Sequence, residues 1–294
     1  MKTILVTGGA GFIGSHLCER LVARGYTTIS LDNYFAGTTD NHVDGVEYRQ
    51  GHTKDIETLV PETPDLIYHL GEYSRVEISL TEPDIVWDLN KTGTAAVLEF
   101  CRKRKCKIVY AGSSTKFGDG GLGRVQSPYA WSKASNTELV KNYGDWYDLP
   151  YVVTYFYNVY GPRERPADKL GTLIETFIQK VRKGESLTVV APGTQMRNFT
   201  HVHDIVQGLI LAGFEGAGDD FGIGHERAYS ILEVAKLFNH PIEMLPERKG
   251  NRMGSSLDTS KIRSLGWSPN HDLETYISKL LYITEKHDAP LVDI

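Results

Sequence analysis

Cysteine is scarce in this chain. Its 294 residues hold three, Cys18, Cys101 and Cys106, with neither paired nor metal-ligand spacing. That excludes a disulfide scaffold and a cysteine-based zinc module, and it reads as reduced thiols in a reducing compartment. Long hydrophobic runs are missing as well, and no apolar stretch reaches the ~20 residues of a membrane span. Nor is one sign of charge in large excess. A net charge of −5 argues against a nucleic-acid or anionic-membrane partner. The one basic run, Arg102-Lys103-Arg104-Lys105 with Lys107, follows an apolar helical pattern. It reads as a solvated helix C-terminus, where cations complement the helix dipole. Repeats and low-complexity linkers are absent. A strand begins by Thr3, so no secretory leader is expected and the expected location is the cytoplasm.

What is present is an alternation of short apolar strands and amphipathic helices. The pattern predicts strands at 3–7, 27–32, 46–49, 65–69, 107–112 and 151–156, and helices at 12–24, 56–60, 84–104 and 129–147. Continuous apolar strands between helices imply a parallel sheet covered on both faces. After Gly161-Pro162 the rhythm changes. Helices are predicted at 170–183, 204–214, 230–238 (Ser230 and Glu233 forming a capping box) and near 272–287, with strands at 187–190 and 219–223. The fold expected is a doubly wound α/β domain with a smaller, discontinuous α/β lobe packed on it, and a cleft between them.

Thr7-Gly8-Gly9-Ala10-Gly11-Phe12-Ile13-Gly14 joins the first strand to the first helix. Glycines at 8, 11 and 14 permit a tight turn, close approach of backbone to a pyrophosphate, and close helix–strand packing. Phe12 and Ile13 open a helix whose N–H groups and dipole suit phosphate. Asp32 ends the second strand, followed by Asn33. Its carboxylate can accept ribose hydroxyls and would repel a 2′-phosphate, so NAD is favoured over NADP.

Residues 127–133 read Ser-Pro-Tyr-Ala-Trp-Ser-Lys. Ser127 suits an N-cap and Pro128 a first helical turn. Tyr129 and Lys133 then lie one turn apart on one face. By themselves they are equally an ordinary surface pair.

The glycine turn, His69-Leu70-Gly71, Asn90-Lys91-Thr92-Gly93-Thr94, Ser113-Ser114-Thr115-Lys116-Phe117-Gly118 and Tyr129…Lys133 stand in order. So do Tyr157-Asn158-Val159-Tyr160-Gly161-Pro162-Arg163, Arg197-Asn198-Phe199-Thr200-His201-Val202-His203-Asp204 and Arg248-Lys249-Gly250-Asn251. Together these resemble the extended short-chain dehydrogenase/reductases, specifically the nucleotide-sugar epimerase/dehydratase family. The resemblance implies a Rossmann domain of 1–157 plus about 199–222, and a nucleotide-sugar domain of about 158–198 plus 223–294. It also implies a homodimer built on the helices at 84–104 and 129–147.

Under that resemblance Tyr129 is the catalytic base, Lys133 its partner and a ligand of the nicotinamide ribose, and Ser113 a hydrogen-bonding partner of the same substrate oxygen. A free tyrosine titrates near pH ~10. Lowering that by about three units corresponds to roughly 4 kcal/mol, within reach of two nearby cations in a partly dry site. Cofactor contacts implied are the glycine turn, Asp32, Asn33, His52, Thr53, Leu70, Asn90 and Tyr157. Substrate contacts implied are Ser113, Ser114, Asn158, Thr172, Leu173, Arg197 and Arg248, the arginines gripping a diphosphate.

Four departures from the family pattern matter. Ser114 and Thr115 stand where 4,6-dehydratases carry an Asp-Glu acid–base pair, which disfavours dehydration. His52 stands where an aspartate usually meets the adenine. The glycine-rich stretch 118–124 is short and suggests a more open sugar pocket. His203 replaces an acid, and with His201 it is expected on a strand without a third ligand, so no metal is expected. Arg75 either meets an acidic group on the substrate or is a surface cation. The activity expected is NAD-dependent C4 epimerisation of a UDP-hexose or UDP-N-acetylhexosamine. The alternatives are a nucleotide-4-keto-sugar reductase or dehydrogenase, then a dehydratase, then a non-catalytic dinucleotide sensor.

Overall fold

The computed structural model describes residues 2–76, 78–117, 119–165, 171–247, 254 and 256–286. Seven strands form the main sheet: β1 Thr3–Thr7, β2 Thr27–Asp32, β3 Val46–Gln50, β4 Leu66–His69, β5 Lys107–Ser113, β6 Tyr151–Phe156 and β11 Gly218–Ile223. Their order is β3-β2-β1-β4-β5-β6-β11, and every pairing is parallel. The strand order reverses between β1 and β4. A doubly wound sheet opens a crevice at that point, beyond the C-terminal ends of its strands.

Alternation along the strands explains the two covering layers. Ile4 and Val6 of β1, Leu66 and Tyr68 of β4, Val109 of β5 and Val152 of β6 point into one core. Leu5, Ile67, Ile108, Tyr110, Val153 and Tyr155 point into the other. Successive side chains of a strand leave opposite faces, so a continuous apolar strand feeds two cores at once. The first core is closed by α1 Phe12–Ala23, α7 Val202–Glu215 and Ile262 of α9 Ser260–Ser264. The second is closed by α2 Ile56–Leu59, α4 Gly93–Arg104 and α5 Pro128–Tyr147. The predicted helix over 84–104 is one continuous run of three segments with two kinds of turn. It starts as α3 Pro83–Val86, widens to a π-helical stretch Trp87–Thr92, and continues as α4.

The smaller lobe has its own core, with Phe177 of α6 Leu173–Arg182, Leu187 and Val189 of β8 Leu187–Val190, Val234 of α8 Ile231–Leu237, and Ile277 of α10 Leu273–Lys286. Paired short strands finish it. β7 Val159–Tyr160 lies beside β10 Thr200–His201, β9 Met196–Asn198 beside β12 Ala228–Ser230, and β8 beside β13 Ile242–Leu245. Four of these, β7, β9, β12 and β13, go unpredicted because strands of two to four residues carry too few turns of the period to register. The capping box at Ser230 and Glu233 forms as expected. The C-terminal segment serves both lobes, since Trp267 and Ile262 pack in the first core.

No helix among the described residues is long and apolar enough to cross a membrane.

Candidate active site

A single cleft of about 1310 Å³ runs from the glycine turn to the start of α6. The glycine turn makes its floor. Gly8 adopts φ +75°, and a Cβ at Gly14 would fall 2.0 Å from the carbonyl oxygen of Gly8. Only glycine lets α1 start so close to β1. Gly11 caps α1 without any side-chain hydrogen bond, so the N–H groups of the first turn face the cleft unsatisfied by side chains. At the tip of β2, Asp32 accepts from the N–H of Ala10 at 2.9 Å and of Tyr34 at 2.8 Å. Burial raises its carboxyl, while those two N–H groups pull it back down. An anion-seeking helix start with a ribose-seeking carboxylate at the next strand end fits a dinucleotide. Gly8, Gly11, Phe12, Ile13, Gly14, Asp32, Asn33 and Leu70 all line the cleft.

Ser127 caps α5, its hydroxyl accepting from the N–H of Ala130 at 3.1 Å, with Pro128 in the first turn. That start aims Tyr129 at the end of β5, where its hydroxyl donates to Ser113 Oγ at 3.2 Å. Thr115 donates to the same oxygen at 2.9 Å. Ser113 Oγ accepts these and the N–H of Thr115 at 3.3 Å, so its own hydrogen remains for another acceptor. Lys133 lies one turn on and its ammonium donates to the carbonyl of Ala111 and to Glu72. Tyr129, Lys133, Ser113 and Ser114 are all buried in the cleft wall.

The far wall comes from the smaller lobe. Thr172 caps α6 by accepting from the N–H of Glu175 at 3.4 Å, and Leu173 begins the helix. Asn158 donates to the carbonyl of Asn198 at 2.8 Å. Arg197 on β9 donates to the carbonyl of Met196 at 2.8 Å. All four line the cleft. Arg248 lies outside the described residues.

Four expected cofactor contacts lie elsewhere. Asn90 is fully buried, its amide accepting from the N–H of Tyr73 at 2.6 Å and donating to Ser132 Oγ at 3.0 Å. It braces the cleft wall from behind. His52 accepts from the N–H of Lys54 at 2.9 Å and sits 3.2 Å from Asp88. Thr53 packs under Gly93, where a Cβ would lie 2.3 Å from its hydroxyl. Tyr157 is buried and donates to the carbonyl of Ser256 at 2.8 Å; its neighbour Phe156 lines the cleft instead. Adjacent residues at a strand end leave opposite faces, so a one-residue difference moves the ring from cleft to core.

Two acids escaped the sequence reading. Glu72 meets the ammonium of Lys133. Glu164 lines the cleft, hydrogen-bonded to Thr172 and accepting from the N–H of Gly161 at 2.9 Å. The only sequence signal for either was an acid beside a recognisable motif.

The histidines also differ from expectation. His201 ends β10 and His203 lies on α7, not on a strand. His271 completes a trio whose candidate ligand atoms lie within 4.8 Å of one another. His201 Nδ1 accepts the N–H of His203 at 3.3 Å as the cap of α7. In the neutral ring that leaves the proton on Nε2, so neither nitrogen of His201 is free to ligate while it caps α7. His271 in turn is held by Asp204 at 2.9 Å.

The sequence pattern of the NAD dependent epimerase/dehydratase family matches residues 4–224. A Methanocaldococcus jannaschii protein provisionally named UDP-glucose 4-epimerase is 31% identical, covering 95% of this chain and 97% of its own. A Bacillus cytotoxicus UDP-N-acetyl-alpha-D-glucosaminuronate decarboxylase is 29% identical, covering 84% of this chain and 88% of its own. The crystal structure of Thermotoga maritima UDP-glucose 4-epimerase with UDP-glucose superposes with a TM-score of 0.89 at 28% identity, over 97% of this chain and 99% of the other.

Proposed function

The chain belongs to the NAD dependent epimerase/dehydratase family, and from that premise we propose that it epimerises a nucleotide-activated sugar at C4. The substrate is a UDP-hexose or UDP-N-acetylhexosamine, and the route passes through a transient 4-keto sugar. The observation that carries this reading is Tyr129 hydrogen-bonded to Ser113 in one cleft that joins a dinucleotide floor to the N-terminus of α6. The start of α1, capped by no side chain, and the carboxylate of Asp32 would hold NAD. When bound, NAD supplies reversible hydride acceptance at the carbinol carbon.

Tyr129 takes the proton of the sugar O4 as phenolate, helped by the nearby charge of Lys133. Ser113 turns its free hydrogen to the same oxygen and steadies the charge that builds there. The start of α6, with Thr172 and Leu173, faces the nucleotide, while Asn158 and Arg197 meet the diphosphate. With the diphosphate held, the ketone rotates and presents its other face. Ser114 and Thr115 offer hydroxyls and no carboxylic acid, so the ketone is not drawn into loss of water. Two copies pair through the helical run over 84–104 and α5, a reading supported by exposed Trp87, Trp131, Trp146 and Tyr147 on those helices.

Substrate deuterated at C4 tests the reaction. The label is expected to remain at C4 of the epimer, with no solvent deuterium at C5 and no added cofactor. Loss of the C4 label would transfer the assignment to a reductase, and a product lighter by one water to a dehydratase.

A further inference from the structure

Glu72 follows His69-Leu70-Gly71 at the end of β4, and its side chain is 2% exposed. A buried carboxylate survives ionised only when its lone pairs are met. Here they are. One oxygen accepts from Thr94 at 2.6 Å, Asn136 at 2.8 Å and Tyr110 at 3.2 Å. The other takes the ammonium of Lys133. Burial opposes ionisation most strongly, but Lys133, His69 and the Thr94 hydrogen bond together outweigh it, so the carboxyl titrates below its ordinary range.

The pair is anchored to the cofactor floor through a chain of fixed polarity. Thr94 spends its proton on Glu72, so it accepts from His69 Nε2 at 2.9 Å. His69 Nδ1 then accepts from Thr7 at 2.7 Å, and Thr7 accepts from the N–H of Gly71 at 3.1 Å. The remaining ionisable groups here are His69 on β4, Tyr110 on β5, Tyr73 beside Tyr129, and Lys91 on the π-helical stretch. Burial holds His69 neutral, its pKa down to about 4, and pushes the Tyr110 phenol well up. Lys91 is bound to Asn136 at 2.7 Å and Ser135 at 3.1 Å. Glu72 is therefore the sole carboxylate among these groups, and it touches the cation meant to acidify Tyr129.

We propose that Glu72 is a positioning residue for the reaction, pinning Lys133 beside β5 and offsetting part of its charge, and so setting the acidity of the Tyr129 phenol. This rests on Tyr129 being the base. An uncompensated Lys133 would favour the phenolate over a wider pH range. A compensated one keeps the phenol protonated to higher pH and keeps the lysine in one place.

The experiment compares the purified protein with Glu72→Gln, which keeps the shape and removes the charge, and compares Lys133→Met with the double change Glu72→Gln/Lys133→Met. The phenolate absorbance of Tyr129 is titrated against pH, with Tyr129→Phe subtracted, and the acid limb of kcat/KM is followed in parallel. Glu72→Gln is expected to move both midpoints down by about one unit, a tenfold change in proton activity. The same change made in a Lys133→Met background is expected to move the absorbance midpoint far less, since the cation that Glu72 offsets is gone. An unmoved or rising midpoint in Glu72→Gln overturns the proposal, as does an equal shift with and without Lys133. The spectroscopic titration needs no substrate. A shifted phenol with no turnover on any nucleotide sugar would therefore leave this proposal standing and remove the proposed function alone.

Discussion

The hydroxyl of Tyr129 donates to Ser113 Oγ at 3.2 Å, joining the start of α5 to the end of β5. They lie sixteen positions apart in the chain. Removing that single oxygen in Tyr129→Phe should lower turnover at least about 10²-fold, in line with general-base contributions. Thermal stability and NAD occupancy should stay near wild type. Steady-state rates and a melting curve on the same preparation check this, and near-normal turnover would displace Tyr129 as the base.

Asp32 should decide between the two dinucleotides. Its carboxylate stands at the tip of β2, held by two backbone N–H groups. Asp32→Ala should weaken NAD by about ten- to a hundredfold, the worth of a hydrogen bond to a charged group. It should also narrow the preference against NADP. Mass spectrometry of dinucleotide released from the pure protein, together with binding titrations, reads both effects. Finding mainly NADP in the wild type would reject the assignment.

Arg197 should act on the substrate alone. Its β-strand lies in the smaller lobe, across the cleft from the glycine turn. Arg197→Ala should raise KM at least about tenfold through loss of a charge-assisted contact, and leave retained NAD unchanged. Equal KM values for the two proteins would take Arg197 out of the site.

Glu164 should make stability depend on pH. Burial pushes its carboxyl up from 4.5 to about 8, against the pull of Thr172 and the Gly161 N–H. Between those values the folded chain keeps a proton that the unfolded chain has lost. The contribution of the neutral acid is therefore complete below about pH 4.5 and is lost as pH rises through 8. Glu164→Gln is neutral throughout. Its melting temperature relative to wild type should climb between pH 5.5 and 8.5, by about 2–4 °C for each kcal/mol involved. A constant difference across that range would mean that Glu164 is ionised in the folded protein.

Much of the fold was legible because the main-sheet strands are strongly apolar and alternate with helices. Thr3–Thr7, Thr27–Asp32 and Leu187–Val190 match their predicted bounds. The pieces that stayed hidden share one property: their meaning depends on residues far along the chain. Glu72 carries no evident role in the sequence until Lys133, 61 residues later, is brought against it. Asn90 reads as a cleft residue until Tyr73 claims its amide. His271 joins His201 only when the segment before α10 folds back onto α7.

Local chemistry alone determined the glycine turn, the Asp32 that follows it, the Ser127 cap, and the one-turn spacing of Tyr129 and Lys133. Each of these follows from backbone sterics or helix period within a few residues. Tertiary structure decided which partner each side chain meets. It set Ser113 against Tyr129, gave Lys133 a buried carboxylate, turned Phe156 rather than Tyr157 into the cleft, and brought Arg197 across from the smaller lobe. The reason is physical. A side chain's direction is set by its own backbone, but its protonation and its role are set by charges and walls that only long-range packing supplies.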